Sequence, residues 1–123
     1  MPDNFLRVDG LRCEHRANPL GIDAPNPRLG WIIHSRQNGT TQAAYRVLAA
    51  SSRQIIAGNR GDLWDSGRVE SDQSVDILYR GRALKARGRC FWKVKVWDNH
   101  GGESRWSEIA LWSMGLLDIN DWH

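Results

Sequence analysis

"RCFWKVKVWD", residues 89–98, decides the fold. Cys90, Trp92, Val94 and Val96 alternate with Phe91, Lys93, Lys95 and Trp97. A period of two belongs to a β-strand, whose successive side chains point to opposite faces. Aromatic and β-branched residues suit such a pleated, half-buried surface. One face of this strand therefore meets a core, and the other carries two rings and two lysines.

Working outward, shorter runs of the same kind recur. Residues 5–14 place Leu6 and Val8, then Leu11 and Cys13, on one face, with Asp9-Gly10 predicting a bulge between them. Residues 28–35, 41–51, 74–80 and 107–115 read as further strands, with Ala43, Tyr45, Val47 and Ala49 on one face of the third run and Val75, Ile77 and Tyr79 on one face of the fourth. Helical spacing is nearly absent, and only 51–64 predicts as much as a single turn. Asn38-Gly39 predicts a hairpin between the second and third runs, because both residues tolerate positive φ. "DNHGGES", residues 98–104, predicts another turn. About seven short strands separated by turns describe an all-β, antiparallel β-sandwich. The chain of 123 residues is long enough for one such core. We divide it into a sandwich over 1–115 and, over 116–123, the start of a linker to a following domain.

Several function classes fall away. A net charge of +3 is far from that of a polycation. The two cysteines, Cys13 and Cys90, form no metal-ligand spacing and read as buried thiols. No apolar run is long enough to span a membrane. The start "MPDNFLRVDG" lacks the basic-then-apolar order of a secretory leader, which fits a cytoplasmic chain or one whose leader has been removed.

The spacing of the decisive strand carries a resemblance. Leu84 precedes Cys90 by six residues, and inward Trp92, Val94 and Val96 follow. This resembles fibronectin type III domains, which have a tyrosine where Cys90 stands, and Trp31 resembles their core tryptophan. The absence of that corner tyrosine implies that its hydrogen bond to the preceding loop is made otherwise or not at all. "NPLGIDAPNPRLGW", "QAAYRVLAASS", "LWDSGRVESDQS", "FWKVKVWDNHGGESRWSE" and "MGLLDINDW" follow in that order from residue 18 onward. Together they resemble the N-terminal fibronectin-III-like (Ig-like) domain of bacterial α-L-rhamnosidases. The similarity runs from about Leu11 to Trp122; the departures are Gly30, where serine is usual, and Cys90, where an aromatic is usual. The resemblance implies a module of a glycosidase without its active site, since that family carries its catalytic acids in a downstream helical toroid. It implies no cofactor and no metal. As partners it implies the other domains of the same polypeptide, a following β-sandwich and the toroid, and it leaves rhamnose-containing glycans open as ligands.

Glycosidase chemistry needs two carboxyl groups about 5 to 10 Å apart beside a sugar. Asp62 and Asp65 flank Trp64, and Glu14 with Asp23 is a second pair; turn chemistry is the preferred reading, and no catalytic residue is assigned. Asp98, Asn99 and Glu103 miss the spacing of a calcium loop. His15, His34 and His100 have no acid or nucleophile at a readable spacing. Residues 80–89 hold five basic side chains; a solvated connection anchored inward by Ala83 and Leu84 is preferred to a nucleic-acid contact. The outward aromatics are the remaining candidates. Phe91, Trp97, Trp112 and Trp64 are expected to form an interdomain surface, or else a sugar-contact surface, or to lie half-covered by arginine and lysine stems. The stretch 18–31 reads as a loop stiffened by Pro19, Pro25 and Pro27, with Leu20 and Ile22 tucked under and Asp23 holding backbone amides or Arg28.

Overall fold

The computed structural model describes residues 6–22, 26–36, 38–84 and 88–115. The expectations for Asp23, Pro25, the middle of the basic connection (85–87) and the tail from 116 lie outside these residues. Seven strands and one short helix follow in order: β1 (Arg7–Cys13), β2 (Arg28–His34), β3 (Gln42–Ala50), α1 (Arg53–Ala57), β4 (Trp64–Asp65), β5 (Ile77–Leu78), β6 (Arg89–Asp98) and β7 (Ala110–Ser113). They form two antiparallel sheets, ordered β1-β2-β5 and β4-β3-β6-β7.

The inward faces fill the space between the sheets. Val8, Leu11, Cys13, Leu29, Trp31, Val47, Trp92, Val94, Val96 and Trp112 are all buried in one cluster. The predicted bulge is present: the β1–β2 register shifts between Asp9 and Arg12, and Gly10 adopts φ +63°. That extra residue keeps both Val8 and Leu11 inward. Trp31 packs edge-on against Tyr45 with centroids 5.2 Å apart. Its indole N–H donates to the Gln42 side chain at 2.8 Å, which ties one sheet to the other. Burial pushes the Cys13 thiol up to about 12, aided by the Glu14 charge, and both cysteines are unbonded and buried.

The corner hydrogen bond has moved to another strand. The Tyr79 hydroxyl, just after β5, donates to the Arg82 carbonyl at 2.6 Å. The loop before β6 is thus anchored by a tyrosine from the far sheet.

Four expectations are corrected here. Gly39 does take φ +70°, but the turn joins no hairpin: β2 pairs with β1 and β5, and β3 with β6 and β4. A turn signal dictates only that the chain reverses, and here it reverses across the sandwich. Val75 is 53% exposed, whereas Ile77 and Tyr79 are buried. Asp76 is the cause: its φ of +58° flips the side-chain phase, so Val75 faces away from the core. Leu20 is 72% exposed while Ile22 is buried. Ala83 is exposed, and only Leu84 packs against the core.

The stretch 18–22 closes a sheet edge. Asn18 Oδ1 accepts from the Leu111 amide (3.0 Å), the Ser113 amide donates to the Pro19 carbonyl (3.2 Å), and the Gly115 amide donates to the Ile22 carbonyl (2.7 Å). The outer edge of β7 is therefore satisfied by this loop, which removes a template for unwanted strand pairing.

Candidate interaction surfaces

The sandwich has two outer faces, and they differ. On the four-stranded sheet, Phe91, Lys93, Lys95 and Trp97 point outward beside Arg46, Leu48 and Ala50 of β3, with which β6 is in register. Helix α1, capped by the Ser52 side chain, lays Ile56 on Leu48 and Ala50, and all three are fully buried. Phe91, Trp106 and Ile109 complete this second cluster.

Its rings are capped by cations of the same chain. The Arg53 guanidinium lies 5.2 Å from the Phe91 centroid, and that of Arg68 lies 4.7 Å from Trp97. Trp106 meets Lys95 at 4.8 Å, Lys93 at 5.1 Å and Arg46 at 5.7 Å. Such contacts are attractive because the ring face is electron-rich. Their charges are largely balanced locally. Asp65 accepts two hydrogen bonds from Arg46 (3.0 and 2.7 Å), and Glu103 accepts from Lys95 (3.0 Å) and from the Trp97 indole (3.1 Å). These bonds hold both carboxyls below their usual range: the Arg46 bond is the chief cause for Asp65, and the Lys95 and Trp97 bonds for Glu103. Lys93 is only 5% exposed and donates to Asn59 Oδ1. Burial, then the Lys95 charge, holds its ammonium below the usual lysine range.

Trp112 does not join this face. It pairs with Cys90 across the β6–β7 ladder, and directly opposed residues share a face, so it points into the core and is fully buried. There it packs edge-on against Tyr79 (5.2 Å) and Trp92 (6.3 Å). The alternation of β7 is readable from sequence, but its phase depends on the register with β6. Trp64 sits on β4 at the side of the sandwich, half-buried and edge-on to Tyr79 at 5.4 Å.

The three-stranded sheet is open. Ile32, Val75 and Leu78 are 54%, 53% and 44% exposed. Gly10 and Gly30 line a groove of about 270 Å³ with Ile32 and Val75, and Arg12, Arg28 and His15 also border it. A side chain at Gly30 would lie 3.3 Å from the Ser74 carbonyl, so glycine lets the 74–76 segment sit close over β2. Sequence reasoning missed this face. Ile32 belongs to an unbroken apolar run, and Val75 faces outward only because of Asp76.

The described members of the carboxylate pairs, Asp62, Asp65 and Glu14, are committed to structure. Asp62 accepts from the Ser51 amide (2.8 Å) and hydroxyl (2.5 Å). Burial raises its pKa, but the bonds from Ser51 outweigh this and leave the carboxyl low. Asp65 also accepts from the Gly67 amide (2.9 Å), closing the expected turn. Glu14 accepts from the Arg28 amide at 2.6 Å. Carboxyls held low in this way are poor proton donors near neutrality. The fold does supply acids to two histidines that the sequence left alone: His34 lies 2.7 Å from Asp9, and His15 lies 3.7 Å from Asp76. Both pairs are at the surface.

Comparison with known proteins places this geometry. Residues 8–118 match the family model of the Rha78A-like, N-terminal immunoglobulin domain. An α-L-rhamnosidase of Streptomyces avermitilis is 45% identical over 117 residues, 95% of this chain and 11% of that protein. One from Formosa agariphila is 41% identical over 117 residues, again 95% of this chain and 12% of that protein. The solved α-L-rhamnosidase of Dictyoglumus thermophilum superposes with a TM-score of 0.91 at 37% identity, over 94% of this chain and 13% of that one. The Streptomyces avermitilis enzyme, solved with L-rhamnose, superposes with a TM-score of 0.89 over 95% of this chain and 11% of that one. The chain thus spans only about an eighth of the length of these relatives.

Proposed function

This chain belongs to the Rha78A-like, N-terminal immunoglobulin domains, and we propose that it is a non-catalytic accessory module of an α-L-rhamnosidase, packing against and positioning the enzyme's other domains. The parent would release terminal α-L-rhamnose from glycosides with acids carried elsewhere in its length. The observation that carries this reading is the contrast between the faces. The four-stranded sheet is roofed by its own helix and cations, whereas Ile32, Val75 and Leu78 are left to solvent. Full burial of such a side chain is worth about 1.5 to 3 kcal/mol. Three of them on one sheet face, two bordering a groove, suit an interdomain contact better than an isolated surface.

The test has two parts. In the parent rhamnosidase, Ile32→Asp with Val75→Asp should loosen the module. Limited proteolysis should then cleave between it and the rest faster, while aryl α-L-rhamnoside hydrolysis survives at low temperature. Unchanged protection would overturn the assignment of this face. The 123-residue chain alone should release nothing from the same aryl rhamnoside. Release that Asp62→Asn or Asp65→Asn abolished would overturn the non-catalytic role.

A further inference from the structure

A different part of the molecule carries a ligand-like arrangement. The two sheets end side by side at β4 and β5, the edge strands of their respective sheets. Between them lies a cleft of about 470 Å³, within the size range of small-molecule sites. Trp64, Tyr45, Val69 and Leu78 supply its apolar wall, and Gln73, Asp76 and Arg80 its polar rim. Segment 66–69 leaves β4 and returns to β3 through the Tyr45–Val69 bridge (3.0 and 2.8 Å), which puts Ser66 and Val69 in the wall of the cleft.

Several polar groups here are uncommitted. Among the described residues, the Trp64 indole N–H and the Tyr45 hydroxyl have no hydrogen-bond partner, and Arg80 pairs with no carboxylate. Arg80 lies close enough to Tyr45 to counter the burial that raises that phenol's pKa. Gln73 spends its amide N–H on the Val75 and Asp76 carbonyls (2.8 and 3.2 Å), which leaves its oxygen as an acceptor. The cleft therefore offers donors and acceptors together, beside an indole. The rim carries one guanidinium, Arg80, and one carboxylate, Asp76, so its formal charges cancel and it does not select an anion.

We propose that this cleft binds a neutral pyranoside. A pyranose presents an apolar C–H face that stacks on an aromatic ring, and a hydroxyl edge that both donates and accepts. Trp64 is the platform, Leu78 and Val69 take the apolar edge, and Arg80, Gln73, Asp76 and Tyr45 take the hydroxyls. Trp97 and Phe91, capped by Arg68 and Arg53, are not the platform.

The experiment is a titration of the 123-residue chain with methyl α-L-rhamnopyranoside, and in parallel with methyl α-D-glucopyranoside, followed by NMR at the indole N–H groups. The expected result is a saturable shift at Trp64 for at least one glycoside. Arg80→Ala should weaken it about tenfold, the cost of losing a charged hydrogen bond. Tyr45→Phe should weaken it by less. Both variants keep the core volume, so folding is not at stake as it is for Trp64→Ala. No saturable shift with either glycoside, saturable shifts only near Trp97 or Trp106, or unchanged binding in both variants would each overturn the proposal. Such a failure leaves the packing role untouched, because the open face shares only Leu78 and Asp76 with this cleft.

Discussion

The outer faces of the two sheets both carry apolar side chains and end in opposite states. On the four-stranded side, outward rings and lysines are covered by α1, by Trp106 and by arginine stems. On the three-stranded side, outward aliphatics border an open groove. The difference teaches that exposed composition alone does not mark a contact surface. The aromatic rings are roofed by cations from other elements, and it is the plainer face of Ile32 and Val75 that is left to solvent.

The comparison breaks most sharply at the roof. Ile56, on the inner side of α1, is fully buried, so Ile56→Ala should destabilise the chain by about 2 to 5 kcal/mol in chemical denaturation. A loss below 1 kcal/mol would mean that the helix is a loose appendage and both faces are effectively open. Trp106→Ala comes next. It removes the ring that three cations share and wets Lys93, and we expect a loss of about 1 to 3 kcal/mol.

Lys93 sharpens the contrast through pH. Its folded pKa is depressed, so between that value and the ordinary lysine value the folded chain binds fewer protons than the unfolded one. Stability should therefore rise with pH across that interval. Lys93→Met, of similar volume, should flatten that rise and leave neutral stability level or higher, since its partner Asn59 is free to turn to water. The carboxylates titrate with the same sign, but in the acid range, and they stabilise the chain at neutrality where the buried lysine charge costs it. The contribution of Glu103 and Asp65 is present above the usual carboxylate range and is lost as pH falls through their lowered values. Glu103→Gln should blunt part of that acid loss, as read from denaturation midpoints along a pH series.

The smallest effect belongs to the open face. Ile32→Ser and Val75→Ser should each change the isolated chain's stability by no more than about 0.5 kcal/mol, as expected for exposed positions. A loss several times larger would show that the face is already packed within this chain.

Much of the fold was legible. The alternation in β6, the bulge at Gly10, the core position of Trp31 and the single helical turn after Ser51 all follow local rules, and local rules can be read along one strand. The candidate surface was less legible. The alternation of β7 does not show which phase faces the core, because its strand carries no mark of register with β6, and Trp112 turns inward. A positive φ at Asp76 has no strong signature in sequence, and it is what turns Val75 outward. Strand β4 is two residues long and too short for any period to show. The missing corner tyrosine is answered by Tyr79, just after β5, whose hydroxyl bonds Arg82 in the loop before β6.

By itself, the order of residues determined that this chain makes short strands with one apolar side each, and that these close into a sandwich. Only the tertiary structure decided which sheet each strand joined, which phase of β7 met the core and which outer face went uncovered. The physical reason is that side-chain alternation is set within a strand by backbone geometry. Register, pairing and roofing are instead set between strands, by volumes and hydrogen bonds that meet only once the chain has folded.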